Sequence, residues 1–332
     1  MKKFFAAVIA LGLIVSGCSK SENNKERKPS KNIDSSSWVD NLIDGKAAAQ
    51  KENKKIFLFI SSDNDEKSAS LKENLFFTEE FLSKITEEYV PVNLDFSSSR
   101  FEQAQTGENS ELKQIVEENL KDLTLYNVEG SPSFYCLSKE GFFISKLELE
   151  NDVTLEKLEM ALASKSEEFA VYENVLKSTS EGKKEEKLDA IQRLFEITPV
   201  EYHHLLSSKA QEFVALDKNN ETGNAGTYVM NLANSKAVEA FINQDPKTAS
   251  DEFAKAAEHK YLLPEQKQQC YYTAGYLLAQ SGTDDMAVVV QLLQKAFDAA
   301  PESLYAPQIQ QMITIMQNTG EEQPFDAQSE SN

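Results

Sequence analysis

The order of apolar segments predicts an α/β domain followed by an all-α domain, and three observations carry that reading. Up to about residue 165, short apolar runs of strand length alternate with helix-spaced stretches. From about residue 166 the strand-like runs stop and only helical spacing remains. A polar stretch over 18–36 and an acidic tail over 319–332 bracket these regions and hold too little apolar material to fold alone. The 332 residues suit about two domains at ~100–200 residues each, and 40% hydrophobic residues suffice for their cores. With 34 Lys+Arg against 54 Asp+Glu the formal charge is −20, which argues against nucleic-acid binding because that needs clustered cations. Three cysteines exclude a disulfide scaffold and a four-cysteine zinc site, and three histidines leave little for a metal centre. No cofactor is expected.

In the first domain, expected over 37–165, Trp38 to Asn53 has helical spacing through Trp38, Leu42 and Ala47–Ala49. Ile56 to Ile60 is a continuous apolar run, as in a strand buried on both faces. A helix is expected from about Lys67 to Phe76, and another after Thr78, a suitable N-cap. Tyr89 to Phe96 reads as a second strand, whose Pro91 suggests an irregular or edge start. A polar loop then leads to a helix near Ser110–Leu123. Ser133–Leu137, a Ser138–Gly141 turn and Phe142–Ser145 form a hairpin signal, and a helix over 153–164 closes the domain.

This order of helix, strand, helix, strand, helix, hairpin and helix resembles the thioredoxin fold. Val128-Glu129-Gly130-Ser131-Pro132-Ser133-Phe134 is its most specific piece, similar to the segment before the third strand of that family. The resemblance implies a central mixed sheet flanked by helices, and a cis-proline loop at Gly130, Ser131 and Pro132 facing the family's active site. Where that family carries two cysteines at a helix start, Asp65 and Ser68 stand here, with Leu71 and Leu75-Phe76 setting the register. Neither can form a disulfide, and no cysteine lies between 19 and 135. Dithiol redox chemistry at this position is therefore not expected. Asp63, Asp65 and Glu66 lack the spacing and turn glycine of a calcium loop, and a solvated acidic helix start accounts for them. Cys136 in its apolar strand and Cys270 in a helical stretch read as packed thiols, with a reactive Cys136 as the alternative. No catalytic residue and no metal ligand is assigned.

The amino terminus has a different logic. Met1-Lys2-Lys3 precedes an apolar run from Phe4 to Val15, too short to span a bilayer but fit for the core of a signal peptide over 1–17. Val15-Ser16-Gly17-Cys18 resembles the lipobox of bacterial lipoproteins, which implies cleavage between Gly17 and Cys18 and acylation of the Cys18 thiol. An ordinary signal peptide with an incidental cysteine is the alternative. Acyl chains would attach the protein to a membrane of the bacterial cell envelope. Ser19 resembles the pattern directed to the outer membrane where the cell has two. The following polar residues read as a flexible spacer with an r.m.s. reach of roughly 24 Å, although the basic Lys20, Lys25, Arg27, Lys28 and Lys31 could also meet anionic headgroups.

The second domain, expected over 166–318, holds helical stretches at about 167–178, 184–195, 199–215, 225–242, 247–259, 265–281, 285–299 and 303–317. Ala249, Phe253 and Ala256 recur as Val289, Leu293 and Ala296. This resembles tetratricopeptide-type helix pairs, and an unrelated helical bundle fits equally well. The array would add a concave surface for a peptide or protein. His203 and His204 point about 100° apart on a helix and read as a partly exposed, non-ligating pair. His259 sits at a helix end, where its charged form would suit the dipole. The combined expectation is a membrane-anchored binding or scaffold protein with an unidentified protein partner. The alternatives are a thioredoxin-fold enzyme using Cys136 and a small-ligand receptor beside Pro132.

Overall fold

Lys55–Ser61 (β1) is buried along all but its first residue, so it must lie inside a sheet covered on both faces. In the computed structural model, which describes residues 27–30, 37–63, 65–106, 109–149, 153–283 and 285–319, it does. The signal peptide, Gly17, Cys18, Ser19 and all but the first residue of the 319–332 tail lie outside the described residues. The sheet order is β2-β1-β3-β4. Tyr89–Asp95 (β2) runs parallel to β1, whereas Ser133–Leu137 (β3) and Phe143–Leu147 (β4) complete an antiparallel hairpin beside it. This is a mixed four-stranded sheet flanked by helices.

Alternation along the strands sorts the residues between two faces. Ile56, Leu58 and Ile60 join Val90, Val92, Leu94, Tyr135 and Leu137 on one face. Leu42–Glu52 (α1) covers that face with Leu42, Ala48 and Ala49. On the other face, Phe57 and Phe59 meet Phe76, Phe134 and Trp38. Glu66–Leu71 (α2), prolonged by a π-helical turn over Lys72–Phe76, and Glu79–Ile85 (α3) bring Phe76 and Phe81 onto that face. Thr78 caps α3 through its hydroxyl, which accepts from Phe81 N at 3.2 Å.

Two local expectations change. Trp38 is not helical: Val39 pairs with Val92 as an extended bridge, and α1 begins only after Asn41, which caps it by accepting from Asp44 N. The polar stretch after β2 is a helix, Ser98–Thr106 (α4), followed by Ser110–Leu125 (α5). Only Ala104 of α4 is buried, so its sequence carries no apolar stripe to announce it.

The described chain divides into two compact units, the first ending at Leu206 and the second beginning at Ser207. The sequence-based boundary lay near 165. Leu155–Ser164 (α6) is followed by Ser166–Ser178 (α7), Lys184–Ile197 (α8) and a 3-10 segment over Val200–Leu206, all of which stay with the sheet. Tyr202 explains this, because its ring stacks on Phe143 of β4 at 3.7 Å and 5°. His204 and Asn127 add hydrogen bonds to Leu125 O and Glu201 O. Helical spacing alone cannot distinguish a helix that caps a sheet from one that begins a bundle.

The second unit stacks Ser207–Leu216 (α9), Ala225–Ile242 (α10), Pro246–Ala257 (α11), Pro264–Gln280 (α12), Met286–Ala299 (α13) and Ala306–Thr319 (α14). Each helix packs on the next, and α10 also meets α12. The recurring Ala249, Phe253, Ala256 and Val289, Leu293, Ala296 are all buried. A Cβ on Gly275 would come within 3.3 Å of Leu292 and Leu293, so the small residue permits the close approach of α12 and α13. Ser250 Oγ donates to Ala274 O, and Gln268 Nε2 donates to Ala296 O and Ala300 O, satisfying polar groups buried between layers.

Replacing Tyr202 by alanine removes the stack on β4 and leaves a void beside Phe143. The expected cost is about 3 kcal/mol in urea unfolding of the first unit. A cost near zero would show that the 166–206 segment is not integral to it.

Candidate functional site

The carboxyl end of β1 is where the chain places most of the residues singled out from sequence. Asp65 is the N-cap of α2. Its Oδ1 accepts from Lys67 N at 3.1 Å, and its Oδ2 accepts from Ser68 N at 3.2 Å and Ser68 Oγ at 2.6 Å. Ser68 is 0% exposed, so its hydroxyl is a buried strut of the cap and not an open nucleophile. Three further contacts pin α2: Lys67 Nζ donates to Leu149 O at 2.9 Å, Lys72 pairs with Asp95 at 2.9 Å, and Trp38 Nε1 donates to Phe76 O at 2.8 Å.

Asp63 reaches across to the start of α4, where its two oxygens accept from Ser98 N at 2.9 Å. Those bonds from Ser98 hold its carboxyl below the ordinary range against a smaller opposing effect of desolvation. The acidic start of α2 is therefore a pair of helix caps, more structured than the solvated run expected. The pairing of Ile60 with Ser133 brings the Pro132 loop to the same end of the sheet. The Ser131–Pro132 peptide is cis, and Ser133 Oγ donates to Gly130 O at 2.6 Å. Gly130 faces open space.

Cys136 lies away from that end, paired with Phe57 and fully buried. Burial pushes its thiol up to about 12, against a smaller opposing effect of Lys55. Burial likewise pushes Cys270 to about 12, and both thiols are free. A thiolate nucleophile needs the opposite environment.

One feature carried no sequence signal. Arg27, within the stretch expected to be a flexible spacer, is docked on the start of α1. Its guanidinium pairs with Asp44 at 2.7 Å and donates to Asn41 Oδ1 at 3.0 Å. Ser30 adds its backbone N–H at 2.7 Å and its hydroxyl at 3.0 Å to the same carboxylate. Burial works to raise the Asp44 carboxyl, but the bonds from Arg27, Asn41 and Ser30 together hold it below the ordinary range. Beside them lies a polar cleft of about 280 Å³, also lined by Asp40, Asn109 and Glu111. Asn41 and Asp44 have the spacing of a capping pair, a signal masked by the helical spacing expected from Trp38 onward, and the arginine that completes them lies outside that helix.

The two adjacent histidines are structural. His203 Nε2 lies 2.8 Å from Phe195 O and 2.9 Å from Thr198 O, and His204 Nε2 lies 2.8 Å from Leu125 O, so these nitrogens carry protons. His204 is buried and not partly exposed, because the 3-10 segment turns it toward α5. Burial lowers the pKa of both. His259 is also lowered, by burial and by Lys260, and Tyr261 N donates to its Nδ1 at 3.4 Å, which needs that nitrogen unprotonated. The charged cap expected there is thus replaced by a neutral acceptor.

Comparison with known proteins now bears on both units. Residues 44–149 match the family described as Thioredoxin-like domain, and residues 224–322 match one described as Uncharacterised protein C-terminal domain. The first unit is a thioredoxin-like domain, followed by an all-helical region. A protein of Treponema pallidum (strain Nichols), called "Uncharacterized protein", is 23% identical over 264 residues, covering 78% of this chain and 82% of its own. A match of that length includes parts of both units. Among the described residues, no helix is long and apolar enough to cross a membrane.

The histidines give a pH test. A histidine whose folded pKa is lowered contributes stability that is complete above its unfolded value of ~6.5 and is lost as pH falls toward the folded value. Urea stability of the first unit should therefore drop between pH 7.5 and 5.5, and the paired change His203→Gln, His204→Gln should flatten that slope. Asp122, which desolvation pushes up to about 7, acts with the opposite sign, so the readout is the slope difference between variant and parent.

Proposed function

We propose that this chain is a lipid-anchored protein of the bacterial cell envelope whose thioredoxin-like domain does no dithiol exchange and whose task is to bind a protein partner. The observation that carries this is the Asp65 cap. At the helix start where the related fold places its attacking thiol, an acceptor carboxylate and a buried hydroxyl hold each other and the first turn of the helix. A helix N-terminus lowers the pKa of a thiol placed there, and here the same dipole stabilises a carboxylate instead. The anchor rests on the Gly17–Cys18 lipobox, and Ser19 favours the outer membrane in a two-membrane cell. The binding role draws on the helical stack and on the exposed Gly130 beside Pro132.

Cys136 supports the enzymatic alternative poorly, since its thiol is buried and protonated.

Purified protein should show no disulfide-exchange activity above that of Cys136→Ser. Activity that this substitution abolishes would overturn the reading. Mass spectrometry of the amino-terminal peptide should find acyl mass on Cys18, and Cys18→Ser should leave the precursor uncleaved. Cross-linking in native membranes should recover one stoichiometric partner from the full chain. Its loss in Pro132→Ala or on deletion of 207–332 would locate the binding surface. No partner from the full chain would sink the scaffold role.

A further inference from the structure

We infer that Arg27 is a clamp that fixes where the membrane tether leaves the first unit, turning the end of the sheet that carries the Asp65 cap and the Pro132 loop toward the bilayer. The inference rests on the lipid anchor proposed above and adds an orientation to it.

The contact has the character of a built interface. Arg27 and Asp44 are 7% and 8% exposed in their side chains, and the pair is 2.7 Å apart. Asn41 Nδ2 donates to Asp44 Oδ2 at 2.9 Å, and Ser30 supplies two more bonds. A second acid, Glu111 at the start of α5, lies 3.6 Å from the guanidinium. An arginine so enclosed, with a carboxylate beneath it and its fork shared with an amide, is not a passing surface ion pair. Losing it would leave Asp44 as a buried carboxylate without its cation, which is strongly unfavourable.

Its place in the fold gives the clamp a direction. Asp40, next to the Asn41 cap, pairs with Arg100 of α4 at 2.6 Å, and α4 begins just beyond the carboxyl end of β2. Asp63, after β1, caps the same helix. The Arg27 contact, the Asp63 loop, the start of α2 and the Pro132 loop therefore share one end of the sheet. The opposite end holds Glu87 and the β3–β4 turn, where Lys139 Nζ donates to Asn53 Oδ1 at 2.6 Å. The two ends are separated by the length of β1, about 20 Å at ~3.3 Å per residue.

Chain length does the rest. From Cys18 to Arg27 the backbone reaches about 30 Å at most, against about 70 Å from Cys18 to Trp38 if nothing held the segment. With the clamp closed, the anchored chain enters the unit at the Pro132 end. With the clamp open, it is long enough for the unit to turn over.

Two measurements test this on the mature full chain. Hydrogen exchange of the Ser30 amide, which donates to Asp44, reads the clamp without any lipid. Protection should fall by about tenfold or more in Arg27→Ala and in Asp44→Asn, while amides of β1 keep theirs. For orientation, the acylated chain in phosphatidylglycerol–phosphatidylethanolamine vesicles carries a donor dye at Gly130→Cys or Glu87→Cys, with an acceptor on the headgroups. An unsubstituted parent controls for the buried native thiols. Energy transfer should be stronger from 130 than from 87, and Arg27→Ala should bring the two together. Equal transfer in the parent, or a difference that survives Arg27→Ala, overturns the orientation. An unprotected Ser30 amide in the parent overturns the clamp. Absence of acyl mass at Cys18 overturns the anchor, and the orientation with it, while the exchange result still decides the clamp.

Discussion

Everything in the first unit follows from β1 being apolar on both faces. A strand of that kind cannot sit at an edge, so it draws β2 to one side and the β3–β4 hairpin to the other. Each face then requires a cover. Small alanines let α1 lie close on the Ile56, Leu58, Ile60 face. The Phe57, Phe59 face instead receives rings, with Trp38 stacked on Phe81 at 5.7 Å and 5° and on Phe77 at 5.5 Å. Aromatic packing of this density tolerates little movement of the helices that supply the rings.

That constraint explains why α2 is tied down along its length. The Phe76 ring at the end of its π-helical turn must stay in register with Phe59 and Phe134, and the contacts at Asp65, Lys67, Lys72 and Phe76 hold it there. A helix start fixed in this way can be used for chemistry or for stability. Placing a carboxylate cap and a buried serine at its first turn favours stability. The second unit meets its own constraint differently, by keeping helices close through Gly275 and small alanines and bridging the layers with the Gln268 side chain.

Legibility in the sequence tracked the range of the interactions involved. β1, the hairpin and the Thr78 cap were readable because each depends on neighbours within a few residues. The Ala249–Phe253 and Val289–Leu293 recurrence was readable because periodicity records a buried face. The non-helical Trp38 was missed because the extended form there depends on its neighbour Val39, whose N–H donates to Pro91 O and whose carbonyl accepts from Asn93 N, more than fifty residues away. The unit boundary was missed because it hangs on Tyr202 finding Phe143, and helical spacing contains no address for such a partner. The α4 helix was missed because it buries almost nothing, and Arg27 because one basic residue among several in a polar stretch is indistinguishable from its solvated neighbours.

Arg27 and Asp65 together show how charge is used in a chain with an excess of acid. Asp44, the partner of Arg27, and Asp65 both sit at helix starts where negative charge is favourable, yet the outcomes differ with burial. Asp65 is satisfied by its own helix and needs no counter-ion. Asp44 is buried more deeply against α5, where desolvation works against its charge, and it is stabilised by a cation drawn from outside the domain's own elements. A domain that needed only to fold could have placed an uncharged residue at 44. Retaining a carboxylate there makes the helix start a receptor for the preceding chain, and so couples the packing of the first helix to the path of the tether.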